Sequence, residues 1–293
     1  MFELEPANYI FNPVEFNVDE ILGEHIKEPF PNKSFFWVLC GVPGSGKTSL
    51  FVNTLISKGA NRVYRKVFDK ILLVMPKSSN KSFKKSPFDD LPDDQKFETF
   101  DQNVVDQIML LRKGFDEKEI KESPDDNNGH LINSDNNISD IPIKKKKRNQ
   151  NILLILDDIT AYLKDDPRLL IELSTNRRHL KLSIVLLIQF LYSVPKPVRF
   201  QVTDITVFKP ANEMDAETIE KEFINLKKGQ FDDLKRFVWK NQHDFLFIHK
   251  GNETFYKNLN RITFKESSNI DINIDNAENI KQNSKRKKKQ KVD

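Results

Sequence analysis

An apolar run, Phe35-Phe-Trp-Val-Leu-Cys40, stops at Gly41-Val-Pro-Gly-Ser-Gly46-Lys47-Thr48, and a second apolar stretch begins at once with Leu50 and Phe51. A chain written this way leaves a buried strand, passes through a turn in which glycines replace obstructing side chains, and enters a helix. The segment fits G-x-x-x-x-G-K-[ST] at every position, with a strand expected before it and a helix after it. That pattern describes a phosphate cradle. Glycines let the backbone wrap a phosphate with its N–H groups pointing inward. The helix beginning near Lys47 adds the positive end of its dipole. Lys47 can reach the β- and γ-phosphates, and Thr48 can offer a hydroxyl to Mg²⁺. Gly41, Gly44, Ser45, Gly46, Lys47, Thr48 and Ser49 are therefore the candidate nucleotide-binding residues.

A second signal lies downstream. "ILLILDDIT" places Asp157 and Asp158 directly after an apolar run, where one carboxylate can hold Mg²⁺ and the next can polarise an attacking water. We assign Asp157 to the metal and Asp158 to catalysis. "LSIVLLIQF" is apolar apart from Ser183 until it ends at Gln189, an amide suited to sensing the γ-phosphate or the lytic water. Between the two stands "STNRRHL". Arg177 and Arg178 at a helix end could serve as an arginine finger, because a guanidinium fork suits dispersed phosphoryl charge. A basic helix terminus complementing its own dipole is the plainer reading. Sequence leaves open which arginine acts, and whether it acts in its own site or a neighbour's. An additional strand, Ile71–Met75, precedes the acidic pair, and no N-K-x-D guanine-reading sequence occurs. The strand, with an acidic residue following the metal carboxylate, suits the additional-strand (ASCE, RecA-like) class of P-loop NTPases, and the missing guanine-reading sequence argues for ATP over GTP.

The expected fold is α/β. Apolar strands at 35–40, 71–75, 151–158, 182–189 and 204–209 alternate with helical stretches, which implies a mostly parallel sheet covered on both faces. "DFLFIHKGNETFYKNL" alternates around Lys250-Gly251-Asn252 and reads as a C-terminal hairpin. Helices are expected over 48–57, 104–111, 169–180, 215–228 and 231–240. The organisation expected is an irregular arm over 1–34, an ATPase domain over 35–265 and a disordered basic tail over 266–293. Residues 122–150 are poor in large apolar side chains and read as a flexible insertion.

Composition removes other classes. A single cysteine, Cys40, excludes an internal disulfide and a cysteine-rich zinc site. The five histidines show no metal spacing. The first residues lack a signal peptide's basic start and long apolar core, and no apolar run approaches the roughly 18–20 residues of a membrane span. A soluble, non-secreted protein is expected. Net charge is only +4, but basic residues gather at Lys144–Arg148 and Lys285–Lys291. The latter suits DNA phosphates or a nuclear-import signal.

The ordered set "GVPGSGKTS", "PKSSNKSFKKSPF", "ILDDI", "NRRH", "LLIQ", "SVPKPVR" and "FYKNLNRI" resembles the DNA-packaging ATPases of giant viruses, poxviruses, virophages and Maverick/Polinton elements, a branch of the FtsK–HerA superfamily. The resemblance implies an ATP- and Mg²⁺-dependent motor that translocates double-stranded DNA into a preformed capsid. It further implies a homo-oligomeric ring of five or six copies, capsid or portal-vertex partners, and a place in the virion or the host's viral factory. Carried over by position, Lys47 and Thr48 bind nucleotide and metal, Asp157 and Asp158 are the metal and catalytic carboxylates, Gln189 is the sensor, and Arg178 beside His179 best matches the basic motif. The residues alone also allow another nucleic-acid-dependent P-loop ATPase such as a helicase, a nucleotide-binding scaffold without turnover, or a nucleotide kinase.

Overall fold

Strands that are apolar on both faces are stable only inside a sheet covered on both sides, and the computed structural model places them there. It describes residues 20–77, 88–122, 150–226 and 229–263. The strands are β1 (Phe36–Cys40), β2 (Lys70–Val74), β3 (Lys96–Phe97), β4 (Ile152–Asp157), β5 (Leu182–Ile188), β6 (Asp204–Phe208), β7 (Phe245–His249), β8 (Thr254–Lys257) and β9 (Asn260–Arg261). The helices are α1 (Lys47–Ile56), α2 (Gln102–Glu122), α3 (Thr160–Asp165), α4 (Arg168–Asn176), α5 (Lys196–Phe200), α6 (Glu213–Phe223) and α7 (Gln230–Val238). All the strands join one nine-stranded sheet in the order β3-β2-β4-β5-β1-β6-β7-β8-β9. From β3 to β6 every pairing is parallel; β7, β8 and β9 add antiparallel ribbons at the far side.

The expected class, a mostly parallel P-loop sheet of the additional-strand kind with a C-terminal hairpin, describes this architecture. The strand that separates the cradle from the acidic pair in space is β5, the one ending at Gln189, whereas Ile71–Met75 contributes β2 on the outer side of β4. Boundaries shift by a few residues. The helix expected over 169–180 ends at Asn176 and continues as a turn, and that expected over 215–228 closes at Phe223. Four short elements carried too few residues to show a periodicity: β3, β9, α3 and α5. Residues 123–149, 264–293 and 1–19 lie outside the described residues, and with them most of the expected insertion, the whole basic tail and half of the arm.

The central strands β1, β5 and β6 are buried along their whole length. Alternate residues face opposite sides of a sheet. Trp37, Leu39, Leu153, Ile155, Val185, Leu187 and Phe247 share one core with Phe51 of α1. The intervening Phe36, Val38, Leu154, Ile184 and Leu186 are buried too, so neither face meets solvent. The first core is strongly aromatic: Trp37 packs against Phe30 (6.1 Å between centroids), Phe51 (6.2 Å) and Phe247 (5.6 Å). Its indole N–H donates to Thr206 Oγ1 at 2.9 Å, which satisfies the one polar atom such a ring buries.

The described part of the expected arm, residues 20–34, has no helix or strand, yet it supplies part of this core. Leu22 and Ile26 are buried, and Phe30 packs edge-on to Trp37, Tyr64 and Phe247. Tyr64 donates to Pro31 O at 2.8 Å and Tyr256 to Glu28 at 2.7 Å, pinning the segment to the loop before β2 and to β8.

Phe247 lies at the junction of these groups, fully buried among Phe30, Trp37, His249 and Tyr256. Phe247→Ala is expected to lower stability by about 3–5 kcal/mol, read from the urea midpoint at unchanged m-value.

Candidate functional site

The parallel strands deliver their C-terminal ends to one edge, and three of them carry the expected chemistry. β5 pairs with β1 so that Ile188 faces Cys40, and with β4 so that Leu187 faces Asp157. The cradle after β1 and the carboxylates after β4 are thus separated by one strand, a gap of about 10 Å, and Gln189 emerges between them.

The cradle's shape follows from its glycines. Gly44 and Gly46 adopt φ of 77° and 109°, a left-handed backbone that side chains rarely allow. Gly41 is needed for another reason: a Cβ there would lie 2.7 Å from Phe208 Cβ and 2.8 Å from Ser45 Oγ. Its N–H donates to Ile188 O at 3.1 Å, continuing the β1–β5 ladder one step into the loop. α1 starts at Lys47 with Gly46 as its N-cap. Lys47 folds over the loop and donates from Nζ to Gly41 O at 2.5 Å and Val42 O at 3.2 Å. Burial lowers its pKa, while nearby Cys40, Asp157 and Asp158 pull the other way. The thiol of Cys40 is pushed far up, chiefly by burial. Sγ donates to Gln189 O at 3.6 Å; the cysteine is a small buried residue at the strand end.

The two aspartates differ in setting. Asp157 ends β4 and is half-buried; burial, then Asp158, push its carboxyl from 3.8 to about 6, with Lys47 opposing. Asp158 is exposed and adopts φ of 57°, a left-handed conformation that aspartate tolerates better than most residues. Its N–H still donates to Leu187 O at 3.2 Å, so the chain turns sharply while staying bonded to β5.

Arg177 and Arg178 lie elsewhere. Leu182 N donates to Arg177 O at 2.8 Å and Lys181 N to Arg178 O at 3.2 Å, which puts both at the start of β5. Six residue steps, about 20 Å of strand, separate them from the nucleotide edge. Neither lies at the cradle edge of its own chain. The two are not equivalent. Arg177 is half-buried, donates to Ser174 O at 2.7 Å and has its pKa lowered by burial, then by Arg178, against Asp204; Arg178 is exposed.

His243, Phe208 and Phe245 were not foreseen. His243 donates from Nδ1 to Ser45 O at 3.0 Å, a contact spanning 198 residues. These side chains, with Gly46, Ser49 and Leu50, line a cavity of about 300 Å³ beside the cradle. An apolar alternation marked the phenylalanines as core, and nothing in the sequence marks His243.

The donor set fits a nucleotide-dependent metal. Among the described residues no group of three or more His, Cys, Asp or Glu side chains could hold a metal unaided. Thr48 and Asp157 supply only two ligand side chains, which suits Mg²⁺, an ion that keeps waters and shares phosphate oxygens. The buried Ser45 Oγ, in the same loop, has no hydrogen-bond partner among the described residues.

Residues 122–231 match the family described as Poxvirus A32 protein. The matched stretch holds Asp157, Asp158, Arg177, Arg178 and Gln189, and it bears out the resemblance read from the motifs. No curated protein matches the chain. Among solved structures it is similar to the genome packaging NTPase B204 from Sulfolobus turreted icosahedral virus 2 in complex with ATP-gammaS, at 14% identity over 76% of this chain and 96% of that one, with a TM-score of 0.47. The cytoplasmic domain of the Thermomonospora curvata Type VII secretion ATPase EccC is 11% identical over 87% of this chain and 28% of that one, TM-score 0.45. EssC from Geobacillus thermodenitrificans is 14% identical over 88% and 45%, TM-score 0.47.

The raised Asp157 has a stability consequence. An acid whose folded pKa exceeds its unfolded value binds more protons when folded, so stability falls as pH rises from 3.8 to about 6 and stays reduced above that. Nucleotide-free Asp157→Asn is expected to be more stable than the unaltered chain near neutral pH, by up to roughly 3 kcal/mol. The difference should shrink toward about pH 4. Urea unfolding at the two pH values measures it.

Proposed function

We propose that this chain is an ATP-hydrolysing motor that moves double-stranded DNA into a preformed viral capsid. The observation that carries the reading is the convergence of Gly41–Thr48, Asp157–Asp158 and Gln189 at one edge of three adjacent parallel strands. The packaging role rests on the family match, which spans two of those three groups.

In this mechanism the loop's N–H groups and Lys47 take the phosphates, Lys47 exchanging two loop carbonyls for phosphate oxygens. The nucleobase and ribose enter the cavity beside Ser49 and His243. Asp158 orients the attacking water and accepts its proton, and Gln189 hydrogen-bonds at the reacting end. Thr48 and Asp157 would hold Mg²⁺, which when bound neutralises charge on the phosphate oxygens. Arg178, exposed at the opposite edge, serves a neighbouring copy's site. Arg177, bonded to its own helix, holds that edge in shape.

On this reading residues 35–265 form the ATPase domain, 1–34 an arm and 266–293 a tail whose lysines meet DNA phosphates or direct nuclear import. The chain works as a ring of five or six copies at a capsid or portal vertex, in the virion or the viral factory. Among the described residues no helix is long and apolar enough to cross a membrane.

ATP turnover by the full chain, with and without duplex DNA, tests the reading. Duplex should stimulate turnover, and Lys47→Ala should lower it at least about a hundredfold. Lys47→Ala mixed with Arg178→Ala should recover activity that neither has alone, since each supplies what the other lacks. Equal turnover by Lys47→Ala and the unaltered chain would overturn the enzyme reading. Strand separation on forked DNA without packaging would move it to a helicase.

A further inference from the structure

The motif "SVPKPVR" has no place in the chemistry above, yet the structure gives it a tight set of contacts with α6. The segment from Phe190 to Arg199 follows Gln189 directly. Leu191, Val194 and Val198 are buried. Asp215, in the first turn of α6, is 1% exposed although it is a carboxylate. Its Oδ1 accepts from Tyr192 N at 3.1 Å, and its own N–H donates to Asn212 Oδ1, the helix N-cap, at 2.9 Å. In the last turn, Glu222 accepts two bonds from Arg199, Nε to Oε2 and Nη2 to Oε1, each at 2.7 Å. Arg199 also donates to Val194 O and, at 3.5 Å, to Tyr192 O. One helix therefore grips the start and the end of the post-Gln189 segment through partly buried polar contacts, which are costly to leave unmade. The other side of Gln189 is held as well, since its carbonyl accepts from Cys40 Sγ.

We propose that α6 is the mount of the Gln189 amide, with Asp215 as a positioning residue for turnover and Arg199–Glu222 as the second point of attachment. The proposal rests on the reading of Gln189 as the γ-phosphate or water contact. Asp215 touches main-chain amides and not the cradle, so it acts through geometry alone. Burial raises its pKa and the amides of Tyr192 and Leu191 oppose the shift, consistent with a carboxylate tied to that turn. Its Oδ2 has no hydrogen-bond partner among the described residues. An asparagine would keep the acceptor at Oδ1 and lose no bond at the other atom, whereas alanine would release Tyr192.

The test compares kcat, KM for ATP and affinity for a non-hydrolysable ATP analogue in the full chain carrying Asp215→Ala, Asp215→Asn, Gln189→Ala, or Asp215→Ala with Gln189→Ala. Asp215→Ala is expected to lower kcat about tenfold to a hundredfold while analogue affinity stays within about threefold. Asp215→Asn should stay near the unaltered rate. The double variant should be no slower than Gln189→Ala alone, because a displaced amide and a missing one are equivalent. If Asp215→Ala does not fold, Arg199→Gln releases the second attachment and carries the same comparison. Full turnover by Asp215→Ala, multiplying losses in the double variant, or an Asn variant as slow as the Ala variant would each overturn the proposal. If Lys47→Ala turns over as fast as the unaltered chain, the enzyme reading fails and this one falls with it. If Lys47→Ala is inactive and Asp215→Ala is not, only this one fails.

Discussion

Gly41 lies so close to Phe208 that no side chain fits between them. That contact fixes where the cradle begins, because it presses the first loop residue onto the last residue of β6, while the Gly41 N–H is committed to Ile188 on β5. The loop is held from both neighbouring strands at the point where it leaves the sheet. Everything downstream inherits this constraint. The left-handed turns at Gly44 and Gly46 bring the chain round to α1, and Lys47 is left over the loop with its charge facing the two carboxylates. A parallel sheet buried on both faces suits this task, since it offers a rigid edge at which several strand ends meet while the faces do the work of stability.

The aspartates show how the edge divides labour by environment alone. Both follow the same apolar strand, yet Asp157 is still inside the ladder and Asp158 has turned out of it. The first carries a desolvation cost suited to a group that meets a cation; the second is exposed to solvent at the turn. A sheet that optimised stability would not end β4 with a half-buried acid beside a second one. The aromatic cluster around Trp37 and Phe247 supplies the burial that offsets it.

Much of this was legible in the sequence, and the reason is locality. The cradle, the acid pair and Gln189 each follow an apolar strand within one or two residues, so reading the strands located the chemistry. What escaped was non-local. His243 reaches Ser45 across 198 residues, Asp204 meets His249 across 45, and Arg199 finds Glu222 across 23. None of these pairs has a spacing that a periodicity could announce. Residues 20–34 escaped for a related reason. Their prolines and scattered aromatics form no regular element, and only the fold shows that Leu22, Ile26 and Phe30 complete a core built by others. β3 and α5 were too short to register a pattern, and β5 could be recognised as a strand but not as the one inserted between cradle and acids, because sheet order is not sequence order.

The arginines carry the argument beyond a single chain. A helix that leaves the nucleotide edge after the acid pair must run back along the sheet before β5 can start parallel to β4, and a right-handed crossover leaves its C-terminus at the far edge. Arg177 and Arg178 stand at that terminus by topology, whatever their rotamers, so no side-chain motion brings them to their own cradle. On the reading proposed above, the phosphate-binding edge of one copy and the arginine-bearing edge of the next are complementary surfaces of the same sheet. A head-to-tail contact of that kind is heterologous and closes only as a ring. Turnover in one copy is then conditional on its neighbour's placement, and the segment that reports the reaction, Gln189 to Arg199, is tied to α6, a helix whose Met214, Glu217 and Lys221 remain at the surface.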